Sequence, residues 1–365
     1  MRPKSLYIHI PFCEKICAYC DFAKVMNGTF SHASYLKILL QEIKDKNIPE
    51  DSLKTIYIGG GTPSCLTLSE LDLLLGYLNH HFPSVEEFTL EANPESLSKE
   101  KIILCQKYGV NRISLGAQSS NDKILKTLNR NHRNEDLIRC CHDLHELHFD
   151  NFNLDFIYGL PGMSKEDLEN DIKLSLSLKS KHLSYYSLQI EKGTLLYNKH
   201  IKPTDDEVLR EMYDYLLEKL HEAGYERYEV SNFALPGYES KHNLTYWHDE
   251  NYYAAGLSAS GYVDNTRYTN TLSMTKYVKG KFDPVTERIT PEGEEFEFLM
   301  LNLRLVSGFS LDTFSTRFHK DFLTSYQKES NRVKDYVEIK NGYFAIKKEY
   351  LYTMDQILLE LLKEI

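Results

Sequence analysis

Basic charge is in deficit along this chain: 43 Lys and Arg stand against 53 Asp and Glu, a formal net charge of -10 over 365 residues. Non-specific grip on nucleic acid or an anionic membrane depends on clustered Lys and Arg, so the acidic balance tilts against both partners. Long apolar runs are missing too, with no stretch approaching the ~18 residues of a membrane-spanning candidate. The chain opens Met1-Arg2-Pro3-Lys4 and passes straight into Leu6-Tyr7-Ile8-His9-Ile10, which leaves no apolar core for a secretory signal. The expectation is a cytoplasmic protein without an integral membrane segment; peripheral membrane contact needs no anchor and stays open. Tryptophan occurs once, and cysteine only seven times. An odd count, with Cys65, Cys105, Cys140 and Cys141 scattered, does not suit a disulfide framework.

What the chain does have is 42% hydrophobic residues, enough for one large core and a smaller satellite. Short runs rich in β-branched and aromatic residues recur at Leu6 to Ile10, Thr55 to Ile58, Phe88 to Glu91, Arg112 to Leu115, Asn153 to Ile157 and Ser184 to Ile190. Segments with helical spacing separate them, as in Tyr35, Leu36, Leu39, Leu40, Ile43. Alternation of this kind builds a parallel sheet covered by helices. Six units are too few to close an eight-stranded barrel, so the expected fold is α/β, an open partial (β/α)6 barrel with a lateral cleft. Its site belongs at the C-terminal strand ends.

The expected organisation is a barrel over 1–225, an aromatic and His-rich extension over 226–290, and a small, mainly helical C-terminal domain over 291–365. The last segment holds 10 Lys and Arg against 13 Asp and Glu, little electrostatic support for a DNA-reading module. A packing or partner-binding domain is expected there.

Three cysteines crowd into Cys13-Glu14-Lys15-Ile16-Cys17-Ala18-Tyr19-Cys20, a C-x3-C-x2-C loop. A four-iron cluster normally takes four thiolates, so three leave one iron open to a chelating amino and carboxylate group. Structural zinc would need a fourth ligand, and His9 is the nearby candidate. Downstream, Gly59-Gly60-Gly61-Thr62-Pro63 follows a strand, where glycines let backbone approach a ligand.

With Tyr19 before its last cysteine, this loop resembles that of the radical S-adenosylmethionine (SAM) superfamily. The resemblance implies a [4Fe-4S] cluster on Cys13, Cys17 and Cys20, SAM at the open iron, and cofactor cleavage to a 5′-deoxyadenosyl radical. The glycine run resembles the family's motif for the methionine amino group. Glu91, Gln118, Arg130 and Asp155 suit the amino, carboxylate and ribose groups, Arg130 by charge-assisted bonds to the carboxylate.

Over essentially the whole chain, the Tyr7-to-Cys13 segment, the glycine run, Arg112 to Ser119, Leu128 to His132, Asp155 to Gly162 and Ser184 to Glu191 resemble the oxygen-independent coproporphyrinogen oxidase group. By position, this implies Tyr7, Tyr19, Gly60, Gly61, Thr62, Glu91, Gln118, Arg130 and Asp155 as cofactor contacts. Two departures set the chain apart from the oxidase itself. That enzyme carries a further cysteine where this chain has Phe22, and an N-terminal extension over the site where only six residues precede Tyr7. Lys241-His242-Asn243-Leu244-Thr245-Tyr246-Trp247 adds an H-N-x-x-Y-W sequence similar to that of the group's haem chaperone branch.

The resemblance implies haem as cargo, with His242 a neutral imidazole ligand and Tyr246 and Trp247 flat surface for the porphyrin. Haem-accepting proteins are the implied partners, a homodimer is left open, and no C-x-x-C-H sequence specifies covalent attachment. The rival is an oxygen-independent coproporphyrinogen III oxidase, decarboxylating propionates. A tRNA-modifying enzyme would want a basic domain that is not visible. The tract Cys140 to His148 reads as a histidine-rich helix flank, and His80-His81 as a helix end.

Overall fold

The computed structural model describes residues 2–362. All six expected strands form, as Ser5–Ile10, Thr55–Gly60, Glu87–Ala92, Arg112–Gln118, Phe152–Tyr158 and His182–Ser187. Each lies parallel to the next. The sixth stops short of Ile190. The 226–290 stretch extends this sheet at both edges: Tyr253–Ala255 pairs with the first strand, and Asn232–Ala234 followed by Glu226–Arg227 with the sixth. Among the described residues the two outermost strands do not meet, so the nine-stranded barrel is open.

Strand alternation sends two different chemistries to the two faces. Leu6, Ile8, Ile56, Ile58, Leu90 and Leu154 are fully buried against the helices, packing with Tyr35, Leu39, Leu71 and Leu74 in one core. The intervening residues face the lumen, and they are polar. Thr55 donates to Ser5 at 2.8 Å, Ser114 to Asp155 at 2.8 Å, and His182 bonds Asn153 at 2.7 Å. Parallel barrels ordinarily fill this space with branched apolar side chains. Here it is a connected hydrogen-bond network.

The helices between strands start where the sequence provides caps. Thr67 and Glu70 form a reciprocal capping box on Leu68–His81, as Ser164 and Asp167 do on Lys165–Ser177. His80 and His81 end the first of these, as expected. The C-terminal part of the chain includes helix Pro291–Asn302, capped by Thr290. It has its own core around Phe298, Phe309, Phe314, Phe322 and Phe344, and it adds a three-stranded antiparallel sheet to its helices. Among the described residues no helix is long and apolar enough to cross a membrane.

Candidate functional site

The cysteine loop leaves the first strand and is pinned by backbone bonds: Val25 N–H to Pro11 O at 2.8 Å, Asn27 N–H to Cys13 O at 2.9 Å, and Ala18 N–H to Leu128 O at 2.8 Å. Cys13 is buried and Cys17 and Cys20 are half-buried, all three as free thiols. Burial pushes the Cys13 thiol up to about 11, so ligation must displace a proton. Arg130 Nη1 lies 3.3 Å from Cys17 Sγ, and Lys24 partly offsets the burial that raises the thiols of both Cys13 and Cys20.

The three sulfurs are not gathered tightly enough for one zinc ion. Among the described residues, the single cluster of three or more His, Cys, Asp or Glu with all ligand atoms within 4.8 Å is His142, Asp143 and Glu146. A cubane spreads its thiolates wider than a mononuclear site does. His9 is committed elsewhere, one ring nitrogen 2.9 Å from the Tyr7 hydroxyl and the other 2.8 Å from Ala23 O. That donor set, three thiols with the nearby His9 committed elsewhere, fits the cluster.

The glycine run presses directly on this loop. Gly60 has φ +114°, and a Cβ there would lie 2.4 Å from the His9 ring; one on Gly61 would lie 2.7 Å from Phe12 O. The backbone N–H groups are consumed internally: Gly60 donates to Glu91 Oε2 at 3.0 Å, Gly61 to Ile10 O at 2.8 Å, and Thr62 to Phe12 O at 2.8 Å. With these N–H groups consumed, the run can offer a ligand only carbonyl acceptors, which suit an ammonium. Thr62 Oγ1 lies 3.9 Å from Cys13 Sγ and accepts from Asn93 at 3.3 Å.

The remaining expected contacts gather around the same place. Arg130 is 9% exposed, not a surface charge. Its guanidinium bonds Asn93 and Gly116 O, each at 2.8 Å, and its Nε donates to His132 Nδ1 at 3.3 Å. Tyr19 is half-buried within electrostatic reach of Arg130 and Cys17, and burial keeps its hydroxyl protonated. Gln118 ends its strand with φ +64°, a strained conformation for a residue with a side chain.

Asp155 sits mid-strand, far from any helix cap, held by Ser114 and Asn153 at 2.8 Å each. Glu91 takes the Tyr57 hydroxyl at 2.7 Å on Oε1, and burial raises its carboxyl to about 7. A small pocket beside Arg130 is lined by Cys17, Thr62, Asn93, Glu95 and Asn131. Glu95 Oε2 is buried there with no hydrogen-bond partner, an orphaned acceptor that fits a cationic ligand group. Asn93, Glu95, Tyr57 and His132 were not anticipated. Tyr57 was legible in principle, since alternation from Gly59 puts it on the lumen face.

His242, Tyr246 and Trp247 lie on one helix, Lys241–Trp247, with Ser240 as its N-cap. His242 is fully buried, and the helix plugs the N-terminal end of the barrel lumen. Both ring nitrogens are occupied: Nδ1 bonds Thr55 Oγ1 and Nε2 bonds the Tyr246 hydroxyl, each at 2.8 Å. Because Thr55 donates onward to Ser5, it accepts from Nδ1–H, and the Nε2 lone pair accepts from Tyr246. That lone pair is the one an iron would need. Burial lowers the imidazole to about 3, which favours its neutral form. Tyr246 and Trp247 are half-buried, and Trp247 Nε1 is a buried donor with no hydrogen-bond partner among the described residues.

The histidine-rich tract behaves as a helix flank. Leu137, Cys140, Cys141 and Leu144 are buried on Asn134–Glu146, and His148 falls beyond the helix end at φ +56°. Lys99 already holds Asp143 at 3.5 Å and Glu146 at 2.8 Å, which offsets part of the negative charge of the His142 cluster.

An open parallel barrel with a three-thiol loop and a glycine run at its strand ends is the architecture of a radical SAM protein. The profile of the radical SAM superfamily matches residues 7–175, and that of the HemN C-terminal domain residues 289–353. The chain is 39% identical over 340 residues to a protein of Lactococcus lactis named heme chaperone HemW, covering 90% of this chain and 88% of that one. Proteins of the same name from Bacillus subtilis and Escherichia coli are 39% identical over 331 residues and 35% over 319, covering 86% and 84% of this chain and 87% and 84% of theirs. The chain belongs to the HemW family. The structure of coproporphyrinogen III oxidase (HemN) from Escherichia coli superposes with a TM-score of 0.86 at 20% identity, covering 100% of this chain and 91% of that one, a likeness of fold.

Proposed function

We propose that this protein is a haem chaperone, taking haem as cargo at the H-N-x-x-Y-W helix and passing it to acceptor proteins. It carries a [4Fe-4S] cluster on Cys13, Cys17 and Cys20 and binds SAM at the open iron. The observation that carries the reading is the motif helix: a neutral histidine, two half-buried aromatic rings and an indole N–H without a partner, in a chain of the HemW family. A buried unpaired donor costs roughly 1–3 kcal/mol, a cost that a ligand acceptor would relieve. Ligation by His242 requires the Tyr246 hydroxyl to leave Nε2 and the helix to move outward from the lumen.

At the other end of the lumen, a reduced cluster with SAM at its open iron supplies one-electron chemistry. In this reading Arg130 and Asn93 take the cofactor's carboxylate, and Glu91, Glu95 and the glycine carbonyls its ammonium. In the same reading Asp155 and Gln118 hold the ribose, and Tyr7, Tyr19 and Thr62 are further cofactor contacts. The rival, a coproporphyrinogen III oxidase, finds no extra thiol at Phe22, which stands 64% exposed. Anaerobic conversion of coproporphyrinogen III would reinstate it.

The test is a hemin titration of anaerobically reconstituted protein, followed in the Soret band, with His242→Ala alongside. Saturable binding that weakens or shifts spectrally in the variant supports the reading. Unchanged affinity in the variant moves the ligand away from His242, and no saturable binding by either protein overturns the chaperone function.

A further inference from the structure

We infer that His242 is a positioning residue for the cofactor pocket, holding Glu91 in place through Tyr57, so that the haem motif and the cofactor site share one support. The inference rests on the reading of Glu91 as a cofactor contact.

The imidazole stacks on the Tyr57 ring, with centroids 5.1 Å apart and planes 27° apart. The Tyr57 hydroxyl donates to Glu91 Oε1 at 2.7 Å, and Glu91 Oε2 accepts from Gly60 N–H at 3.0 Å. No slack exists in this relay. Tyr7 also stacks on Tyr57 with centroids at 6.2 Å, and a Cβ on Gly59 would meet Tyr57 at 2.8 Å and the Glu91 carboxyl at 2.9 Å. A shift of the Tyr57 ring must therefore move Glu91 and the glycine run with it.

His242 is itself gripped by the two strands that carry those groups. Nδ1 bonds Thr55, two residues before Tyr57, and the N–H groups of Lys241 and His242 both donate to the Glu87 carboxylate at 2.9 Å, four residues before Glu91. That carboxylate sits at the positive N-terminal end of the motif helix. Drawing the helix outward, as haem ligation demands, strips these bonds from both strands and removes the ring beneath Tyr57. Haem at His242 and SAM at Glu91 should then oppose each other by the same factor in both directions, as linkage requires.

The experiment uses the full chain, reconstituted anaerobically. SAM affinity is measured by equilibrium dialysis, and the change that SAM causes in the electron paramagnetic resonance spectrum of the reduced cluster is recorded beside it. Wild type is compared with His242→Ala, His242→Phe, Tyr57→Phe and the His242→Ala/Tyr57→Phe double variant. We expect His242→Ala to weaken SAM by about fivefold or more and to blunt the spectral change at unaltered iron content. Tyr57→Phe, which keeps every ring and loses only the bond to Glu91, should match it. The double variant should be no weaker than either, and His242→Phe, which restores a ring under Tyr57, should recover most of the affinity. Wild-type SAM affinity in His242→Ala overturns the inference. If that variant loses its iron, Tyr57→Phe decides: undiminished affinity there overturns it equally. Iron-replete wild type that fails to bind SAM overturns the cofactor reading and the link with it, a result distinct from either variant's.

Discussion

Arg317 of the C-terminal domain closes on Asp249 at 2.7 Å, two residues beyond the helix that carries His242. The same guanidinium donates to Asp249 O at 3.1 Å and to Glu294. It places a cation at that helix's C-terminal end, where the dipole favours one. The Asp249 side chain is 1% exposed, and its burial outweighs Arg317, holding the carboxyl up at about 6. Arg317→Met leaves a buried carboxyl alone, a loss of roughly 3–5 kcal/mol. Urea denaturation should show a larger loss at pH 8 than at pH 5, because at the lower pH Asp249 takes a proton and the unpaired charge disappears.

Tyr246→Phe removes the hydroxyl from His242 Nε2 and leaves the ring in place. One hydrogen bond is worth ~1 kcal/mol net, so hemin affinity should rise by roughly fivefold. Stopped-flow and equilibrium Soret measurements check this. No gain, or a loss, would mean that the lone pair on Nε2 is not what hemin meets.

Glu91 gives the cofactor site a pH dependence whose sign is set by burial. Its ordinary value of 4.5 is raised to about 7. Below that the folded, ligand-free protein holds the proton, and the cofactor's ammonium needs the carboxylate. SAM affinity should therefore rise with pH through about 7, with a limiting tenfold per unit below it. Glu91→Gln should flatten the profile. The same shift acts on stability: the folded state binds the extra proton, so the apoprotein should lose stability as pH rises from about 4.5 to about 7 and stay level above.

Gly60→Ala adds a Cβ 2.4 Å from the His9 ring at a φ of +114°. Strain of this kind costs on the order of 1–3 kcal/mol. It falls where the glycine run touches the cysteine loop, so iron and sulfide content after reconstitution should drop together with thermal stability. Gly162→Ala is the control, with φ +79° and nothing within 4 Å of the added atom; it should cost stability without lowering iron.

Serine replacements separate cluster thiols from packed ones. Cys13→Ser, Cys17→Ser and Cys20→Ser should each abolish most of a content of about four irons per chain. Cys65→Ser should retain it, although Cys65 Sγ lies 3.5 Å from Phe12 O beside the same loop. Iron loss in Cys65→Ser equal to that in Cys17→Ser would count that thiol as a ligand.

Local pattern determined the six parallel strands, the capped helices between them, the cysteine loop and the glycine run, because each is written in spacings of a few residues. It also placed His242 and Tyr246 one helical turn apart, close enough for the hydroxyl to reach the ring. Tertiary structure alone decided where that helix sits. Thr55 and Glu87, which seat His242, lie 187 and 155 residues away in the chain. Tyr57, Asn93 and Glu95 likewise acquire their places only when neighbouring strands bring their lumen faces together. A histidine among aromatics reads the same on an open face or in a plugged barrel, since exposure depends on partners that no local periodicity encodes.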